Sequence, residues 1–370
     1  MSVLAKIFQE VKELENKGMD IIKLHVGEPK IETPLSEKIK ERFSEALKEA
    51  AKKEALYGYS SPYGYEGLRE KIREEFDVPE NKEVIVVSGG ARKACDLCMR
   101  YWKKEGKGAI AVLDPSWEGY RVLAKHNEIG LKTLFTEPLE TSIDERIFRN
   151  FLEENKIECL ILTLPNNPTS TIPENTEELI EICEEKNVKV YWDAAYKELC
   201  WKNEKKLPDV DIPCVSEIGS FSKSFAPGVR VGYIITVHET AKNIANIIKI
   251  ETTSPPLFEQ YAIAEIFEDI KRLAEERKEM CRKNARAVMK IFEKHNISCP
   301  EPHAGFYLFP KVGKIDWKKL LYEYHVALVP GDTFGGKRYE EYVRISLASE
   351  YLHRIEEGII RMIKYHKSAL

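Results

Sequence analysis

Five turns of this sequence carry more polar chemistry than a turn requires. In GSFSKSFAPGVRVGY (219–233), Lys223 stands between two serines, and Arg230 follows Pro227 and Gly228. An amine in apolar surroundings is a nucleophile toward a carbonyl carbon, while Ser220 and Arg230 suit an anion. The apolar run VKVYW (188–192) leads straight into Asp193, with Tyr196 close behind. A carboxylate so near a core needs a cation or hydrogen-bond donors. CLILT (159–163) precedes PNNPTST, where Asn167 is fixed by flanking prolines, and AIAVL (109–113) precedes DPSWEGY, with Trp117. VIVVS (84–88) precedes Gly89, Gly90 and Ala91, small residues ahead of a helical pattern. Such a start leaves backbone N–H groups free to hold an anion. Singly, each has a plain explanation in turn formation or packing.

All five turns sit where strands should end. Four of the preceding runs are apolar on both faces, as strands covered by helices on both sides are. Helical patterns over 91–104 and 173–186 lie between them, the second opened by Pro173. This alternation predicts an α/β fold with right-handed crossovers and a mostly parallel sheet, whose ligands bind beyond the carboxyl ends of the strands. A helical region over 258–295 breaks the rhythm. After it, AGFYLF (304–309), VALVP (326–330) and YVRISL (342–347) predict a smaller α+β domain. We therefore expect a large domain over 27–250, and an N-terminal arm and small domain from 1–26 plus 251–370.

At 370 residues the chain exceeds one ordinary core, and 43% hydrophobic content suits a soluble globular protein. With 57 basic and 61 acidic residues and a net charge of −4, it offers no basic field for nucleic acid. The opening MSVLAKIFQEVKELENKGMD reads as an amphipathic helix (Val3, Leu4, Ile7, Phe8, Val11, Leu14) closed by Gly18, not as a signal peptide. No apolar run is long enough to cross a membrane. Eight cysteines without framework spacing predict reduced thiols in a cytoplasm. The scarcity of glutamine (only Gln9 and Gln260) beside abundant Glu and Lys hints at a thermophile. Cys95 and Cys98 form a C-x-x-C with no second pair to follow, and we expect neither a metal nor a redox role for them.

Read together and in order, the five turns describe one ligand. They provide for a phosphate (the helix start, Ser220, Arg230), a flat ring (Trp117) and a basic ring nitrogen (Asp193). They also provide for a ring hydroxyl (Asn167, Tyr196) and an aldehyde (Lys223). That ligand is pyridoxal 5′-phosphate. Nine motifs carry the wider resemblance: HVGEPKIETP (25–34), YGYSSPYGYEGLRE (57–70), SGGARKA (88–94), DPSWEGY (114–120), PNNPT (165–169), DAAY (193–196), SFSKSFAPGVRVGY (220–233), AGFYLF (304–309) and YVRIS (342–346). Through them the chain resembles the class I/II aminotransferases of the fold-type I pyridoxal-phosphate enzymes over essentially its whole length.

The resemblance implies that Lys223 holds the cofactor as an imine and later shuttles the substrate's α-proton. It implies that Asp193 keeps the ring nitrogen protonated, that Tyr196 and Asn167 bind the ring oxygen, and that Trp117 stacks on the ring. Gly90, Ala91 and Arg92 match the phosphate-binding helix start, helped by Ser220 and Arg230. Tyr59 matches a tyrosine that reaches the neighbouring subunit's phosphate, so a homodimer with shared sites is implied. Arg344 resembles the clamp on the substrate α-carboxylate, Gly27 an N-terminal backbone contact over the substrate, and Trp117 and Asn167 also touch substrate.

Two positions depart from the family pattern: Ser170 replaces a glycine after NNPT, and Ala194 replaces an acidic residue. The family's chemistry uses neither side chain. The short spacing in KSFAPGVR resembles the aminoadipate, kynurenine and aromatic branch, which implies large apolar donors alongside 2-oxoglutarate. Tyr63, Tyr65 and the N-terminal segment are candidates to line an adaptable side-chain pocket. Aspartate is the alternative donor, but dicarboxylate recognition needs a second cation, which the sequence does not assign. A carbon–sulfur lyase would use the same residues. A transcriptional regulator on this scaffold would need a DNA-binding module ahead of Gly27, for which there is no room.

Overall fold

Runs that are apolar on both faces can be satisfied only between two helical layers, and they form the middle of the main sheet. The computed structural model describes residues 3–29, 33–106, 108–202 and 204–369. Lys30, Ile31 and Glu32 of the motif at 25–34 therefore lie outside the described residues. In chain order the strands are β1 (Ile22–Lys23), β2 (Lys82–Ser88), β3 (Ile110–Asp114), β4 (Leu131–Phe135), β5 (Cys159–Thr163), β6 (Lys189–Asp193), β7 (Val215–Ser220), β8 (Val231–Val237), β9 (Tyr307–Leu308), β10 (Val326–Ala327), β11 (Val329–Pro330) and β12 (Val343–Ser346).

The main sheet has seven strands in the order β2-β8-β7-β6-β5-β3-β4. Neighbours among β3 to β7 pair parallel, while β8 is antiparallel to both β2 and β7. The mostly parallel expectation holds, and β8 is the exception because the chain turns back immediately after the Lys223 loop. Every residue of β3 and β5 is buried. The edge strand β4 buries only Leu134, so its sequence lacks the two-sided apolar signal that marks its neighbours.

Two helical expectations need correction. The pattern at 173–186 forms a helix only over Thr176–Glu185. The Asn175 side chain accepts from Ile143 N–H at 3.1 Å and donates to Ile143 O at 2.8 Å, which ties the chain to another loop and keeps Pro173 ahead of the helix. The region at 258–295 is two helices, Phe258–Glu265 and Phe267–Lys294, broken where Ile266 leaves helical geometry at φ −110 and ψ 20.

The remaining strands are short. β11, β12 and β9 form a three-stranded antiparallel sheet, and β1 pairs parallel with β10. One apolar core joins Ile22 and Leu24 to Phe306, Leu308, Val343 and Ile345, so the N-terminal arm packs into the C-terminal part. The first helix, Val3–Asn16, buries Ile7, Val11 and Leu14 against Leu321 and Ala327, as its period predicts. Phe8 stays 42% exposed.

Candidate active site

The carboxyl ends of β5 and β6, the Lys223 loop and the small sheet converge on one cavity. Its walls include Gly27, Ala91, Arg92, Trp117, Asn167, Asp193, Tyr196, Lys223 and Arg344.

Asp193 ends β6 and is 5% exposed. One of its oxygens accepts the Tyr120 hydroxyl, and the other accepts the Ala195 N–H at 3.2 Å. Burial pushes its carboxyl above the usual range, and the Tyr120 hydrogen bond opposes that rise. Among the described residues no cation forms an ion pair with it. A buried acid facing a cavity in this way is suited to a positively charged ring nitrogen.

Lys223 lies in the short helix Phe221–Ser224, whose first turn is capped by Ser220: the Ser220 hydroxyl accepts from Ser222 N–H at 3.2 Å. Its Nζ donates to Gly27 O at 2.6 Å. Burial lowers the pKa of this amine, so more of it is neutral than of a free lysine. The backbone of the same loop is gripped from outside. Arg277, on the long helix Phe267–Lys294, donates to the carbonyls of Lys223, Ser224 and Phe225 at 3.2, 2.9 and 2.5 Å.

Arg230 adopts the left-handed conformation, φ 52, where the loop enters β8. Its guanidinium donates to Gly89 O, to Pro227 O at 2.8 Å and to Ser222 Oγ at 3.4 Å. Gly90 has φ +69, and a Cβ there would meet the Arg230 guanidinium at 3.0 Å. The helix Gly90–Lys104 therefore starts against Arg230, Ser220 and Ser222, in a cradle of backbone N–H groups and one guanidinium suited to a phosphate. Ser222, one of the two serines flanking Lys223, joins this cradle beside Ser220. Arg92 sits in the first turn of the helix Gly90–Lys104. Its guanidinium, on the third residue of that helix, stands 5.2 Å over the Trp117 ring and lines the cavity.

Arg344, on β12, is 3% exposed. It donates to Asn167 Oδ1 at 3.0 Å and to His25 O at 3.2 Å, and its Nε has no partner. Tyr307 lies beneath, its ring 4.2 Å from the guanidinium. The Tyr307 hydroxyl accepts from Tyr196 at 3.4 Å, and Asn167 Nδ2 donates to Tyr196 at 3.4 Å. A Cβ on Gly27 would meet the Tyr307 hydroxyl at 2.9 Å, so only glycine leaves room there. Burial pushes the Tyr196 phenol well up and keeps it protonated.

Tyr120, Thr163, Tyr307, Leu4 and Phe8 also line the cavity and were not singled out, although the N-terminal segment was. Tyr63 and Tyr65 are not on its wall: Arg69 covers the Tyr63 ring at 5.2 Å, and Tyr65 packs edge-on against Tyr261. Tyr59 stands apart, 89% exposed. Ser170 has φ +59, the conformation a glycine adopts most cheaply. Its hydroxyl accepts the Tyr307 N–H at 3.3 Å, a hydrogen bond glycine could not make. Cys95 and Cys98 are buried in the helix wall, with their thiols pushed up by burial.

The family model "Aminotransferase class I and II" matches residues 19–359. The chain belongs to the class I and II aminotransferases. It is similar to aspartate aminotransferase of Thermotoga maritima, 30% identical over 370 residues that cover 95% of this chain and 93% of that one. It is also similar to aspartate aminotransferase of Sulfurisphaera tokodaii, 29% identical over 97% of this chain and 94% of that one. Among solved structures, a Methanococcus jannaschii protein described as similar in its active site to kynurenine aminotransferases superposes with a TM-score of 0.81. That pair is 25% identical, covering 99% of this chain and 97% of the other. This aminotransferase uses pyridoxal phosphate, the cofactor of its family. No helix among the described residues is long and apolar enough to cross a membrane.

Proposed function

We propose that this aminotransferase moves the amino group of an L-amino acid to 2-oxoglutarate in two half-reactions at this cavity. When bound, pyridoxal phosphate supplies an aldehyde to receive the amino group and a ring that draws electrons from Cα. The chain's own residues then do the following. Lys223, with its lowered pKa, is the covalent anchor and, once released, carries the proton from Cα. Asp193 holds the ring-nitrogen proton. Tyr196 and Asn167 donate to the ring oxygen, and Trp117 covers the ring face. Gly90, Ala91, Ser220 and Arg230 hold the phosphate, with Tyr59 reaching a neighbouring copy in a homodimer. Arg344 takes the substrate α-carboxylate in a two-pronged contact, for which its unpartnered Nε is available. Gly27 closes over the substrate. We place the enzyme in the cytoplasm of a thermophile, in keeping with its free cysteines.

The observation that carries this reading is the placement of Lys223 and the buried Asp193 on one cavity with Arg344. Replacing Lys223 by Ala should lower the rate of each half-reaction by on the order of a thousandfold or more and abolish the visible cofactor band. Retained transamination would end the reading.

For the donor, Leu4, Phe8 and Tyr307 on the cavity wall favour a large apolar or aromatic side chain. Arg92 on the same wall favours a second reading, the dicarboxylate aspartate, because it supplies the second cation that the sequence left unassigned. Half-reactions with phenylalanine, tyrosine, kynurenine, 2-aminoadipate, aspartate and glutamate decide between them. We expect turnover with an aromatic donor, and conversion by aspartate and glutamate alone would favour the second reading. Catalytic release of ammonia and pyruvate without an amino acceptor would instead indicate a lyase.

A further inference from the structure

The carboxylate on which the ring chemistry depends is supported by a hydrogen-bond chain that the family assignment does not mention. Tyr120 is completely buried, and its hydroxyl donates to Asp193 Oδ2. The same hydroxyl lies 2.7 Å from Thr163 Oγ1. A phenol has one proton, and Asp193 receives it, so the Thr163 hydroxyl must donate to the Tyr120 oxygen. Register makes this chain possible. Thr163 and Asp193 are paired residues of the parallel strands β5 and β6, at their carboxyl ends. Tyr120 arrives from the helix Gly119–His126, with its ring edge-on to Trp117 at 5.2 Å. The aromatic expected to cover the cofactor and the acid expected to hold its nitrogen thus share one neighbour.

We propose that Tyr120, aligned by Thr163, is the positioning residue that aims the Asp193 carboxylate at the cofactor ring nitrogen and stabilises its negative charge. The inference rests on the reading of Asp193 given above. A tyrosine suits the task because burial and the adjacent acid push its own pKa well up, so it stays a neutral donor wherever the enzyme works. A charged donor would satisfy the carboxylate outright and compete with the ring for it. In a chain of hydrogen bonds each member polarises the next, so the Thr163 hydroxyl strengthens the Tyr120 bond. The other groups facing Asp193 are weak partners for the charge. They are the Ala195 N–H on the other oxygen at 3.2 Å, the Cys95 thiol at 4.0 Å, the protonated Tyr196 phenol and, across the cavity, Lys223.

The test compares Tyr120→Phe, Thr163→Val and Asp193→Asn in the cofactor-loaded enzyme. Difference infrared spectra follow the protonated carboxyl band that is missing from Asp193→Asn, against pH, and stopped-flow absorbance follows the half-reaction with an amino donor. In Tyr120→Phe, Asp193 should take up its proton at a pH higher by about one or more, and the half-reaction should slow roughly ten- to hundredfold. Thr163→Val should move both readouts in the same direction by less. A core-filling tyrosine alone would leave the carboxyl band where it was. If Asp193→Asn is slow while Tyr120→Phe keeps the parent titration and rate, the role of Tyr120 is refuted. If Asp193→Asn matches the parent, the reading of Asp193 itself fails. Should Tyr120→Phe not fold, a folded Thr163→Val with an unchanged Asp193 titration overturns the proposal.

Discussion

The two walls of the cavity are built by different means. Asp193, Thr163 and Tyr196 sit at or just beyond the ends of five-residue buried strands, where register sets which residues face each other. Gly27, Tyr307 and Arg344 lie on or beside strands of two to four residues, and Leu4 and Phe8 on a helix that packs along the outside. Long, fully paired strands resist local opening, while short elements with exposed edges open more cheaply. Under the proposed roles the first wall would hold the ring-facing groups Asp193 and Tyr196, and the second, which also anchors the Lys223 amine through Gly27, would sort substrates.

If that division is right, substitutions on the second wall should discriminate among donors except where they touch a group all donors share. Arg344→Gln is the largest test. It removes the clamp proposed for the α-carboxylate, and kcat/KM should fall roughly a hundredfold for every donor alike, the equivalent of losing about 3 kcal/mol of charge-assisted hydrogen bonding. A loss confined to some donors would break the comparison. Phe8→Ala should lower kcat/KM about tenfold for phenylalanine and tyrosine, through lost aromatic contact, and leave aspartate unchanged. Parallel losses for both donor classes would place Phe8 in the shared machinery.

The smallest effect concerns the turn behind Tyr196. Glu198, in the 3-10 turn Lys197–Leu199, has its carboxyl pushed up to about 7 by burial, against a usual value of 4.5. Its folded pKa lies above its unfolded one, so the bound proton stabilises the fold below about pH 4.5, and that contribution is lost as the pH rises through 7. Glu198→Gln cannot ionise. It should be more stable than the parent at pH 8 by about 1 kcal/mol, discounted for the partial solvent access of the group, and no more stable at pH 5. Thermal melts at the two pH values check this, and an equal gain at both would show that the proton is not responsible.

The difference between the walls also explains what could be read in advance. β3, β5 and β6 announce themselves as apolar runs ending in polar residues, so Asp193, Asn167 and Tyr196 stood out. β4 did not, because an edge strand buries one residue in five and looks like surface. Arg344 needed the family resemblance, since an arginine in an apolar strand is otherwise a buried ion pair. Tyr120 and Tyr307 were hidden inside quoted motifs, as aromatics that could equally have been packing. Their roles depend on a hydroxyl within reach of Asp193 or Tyr196, and only a three-dimensional arrangement supplies that distance. The Arg92 side chain was likewise not placed by spacing alone: helical phase, which spacing near a cap does not fix, sets it over Trp117. Ser170 was set aside as a neutral replacement, yet its left-handed backbone and its bond to Tyr307 join the asparagine loop to the opposite wall.

The grip of Arg277 on three consecutive carbonyls has a consequence for dissecting the molecule. A fragment ending near residue 250 would keep every strand of the main sheet and the reactive lysine. It would nonetheless leave the carbonyls of residues 223–225 without the guanidinium that organises them, and it would lack Arg344. Such a fragment would keep the strands that frame the cavity but lose the contacts that fix the amine, so residues beyond 250 are needed to complete the site.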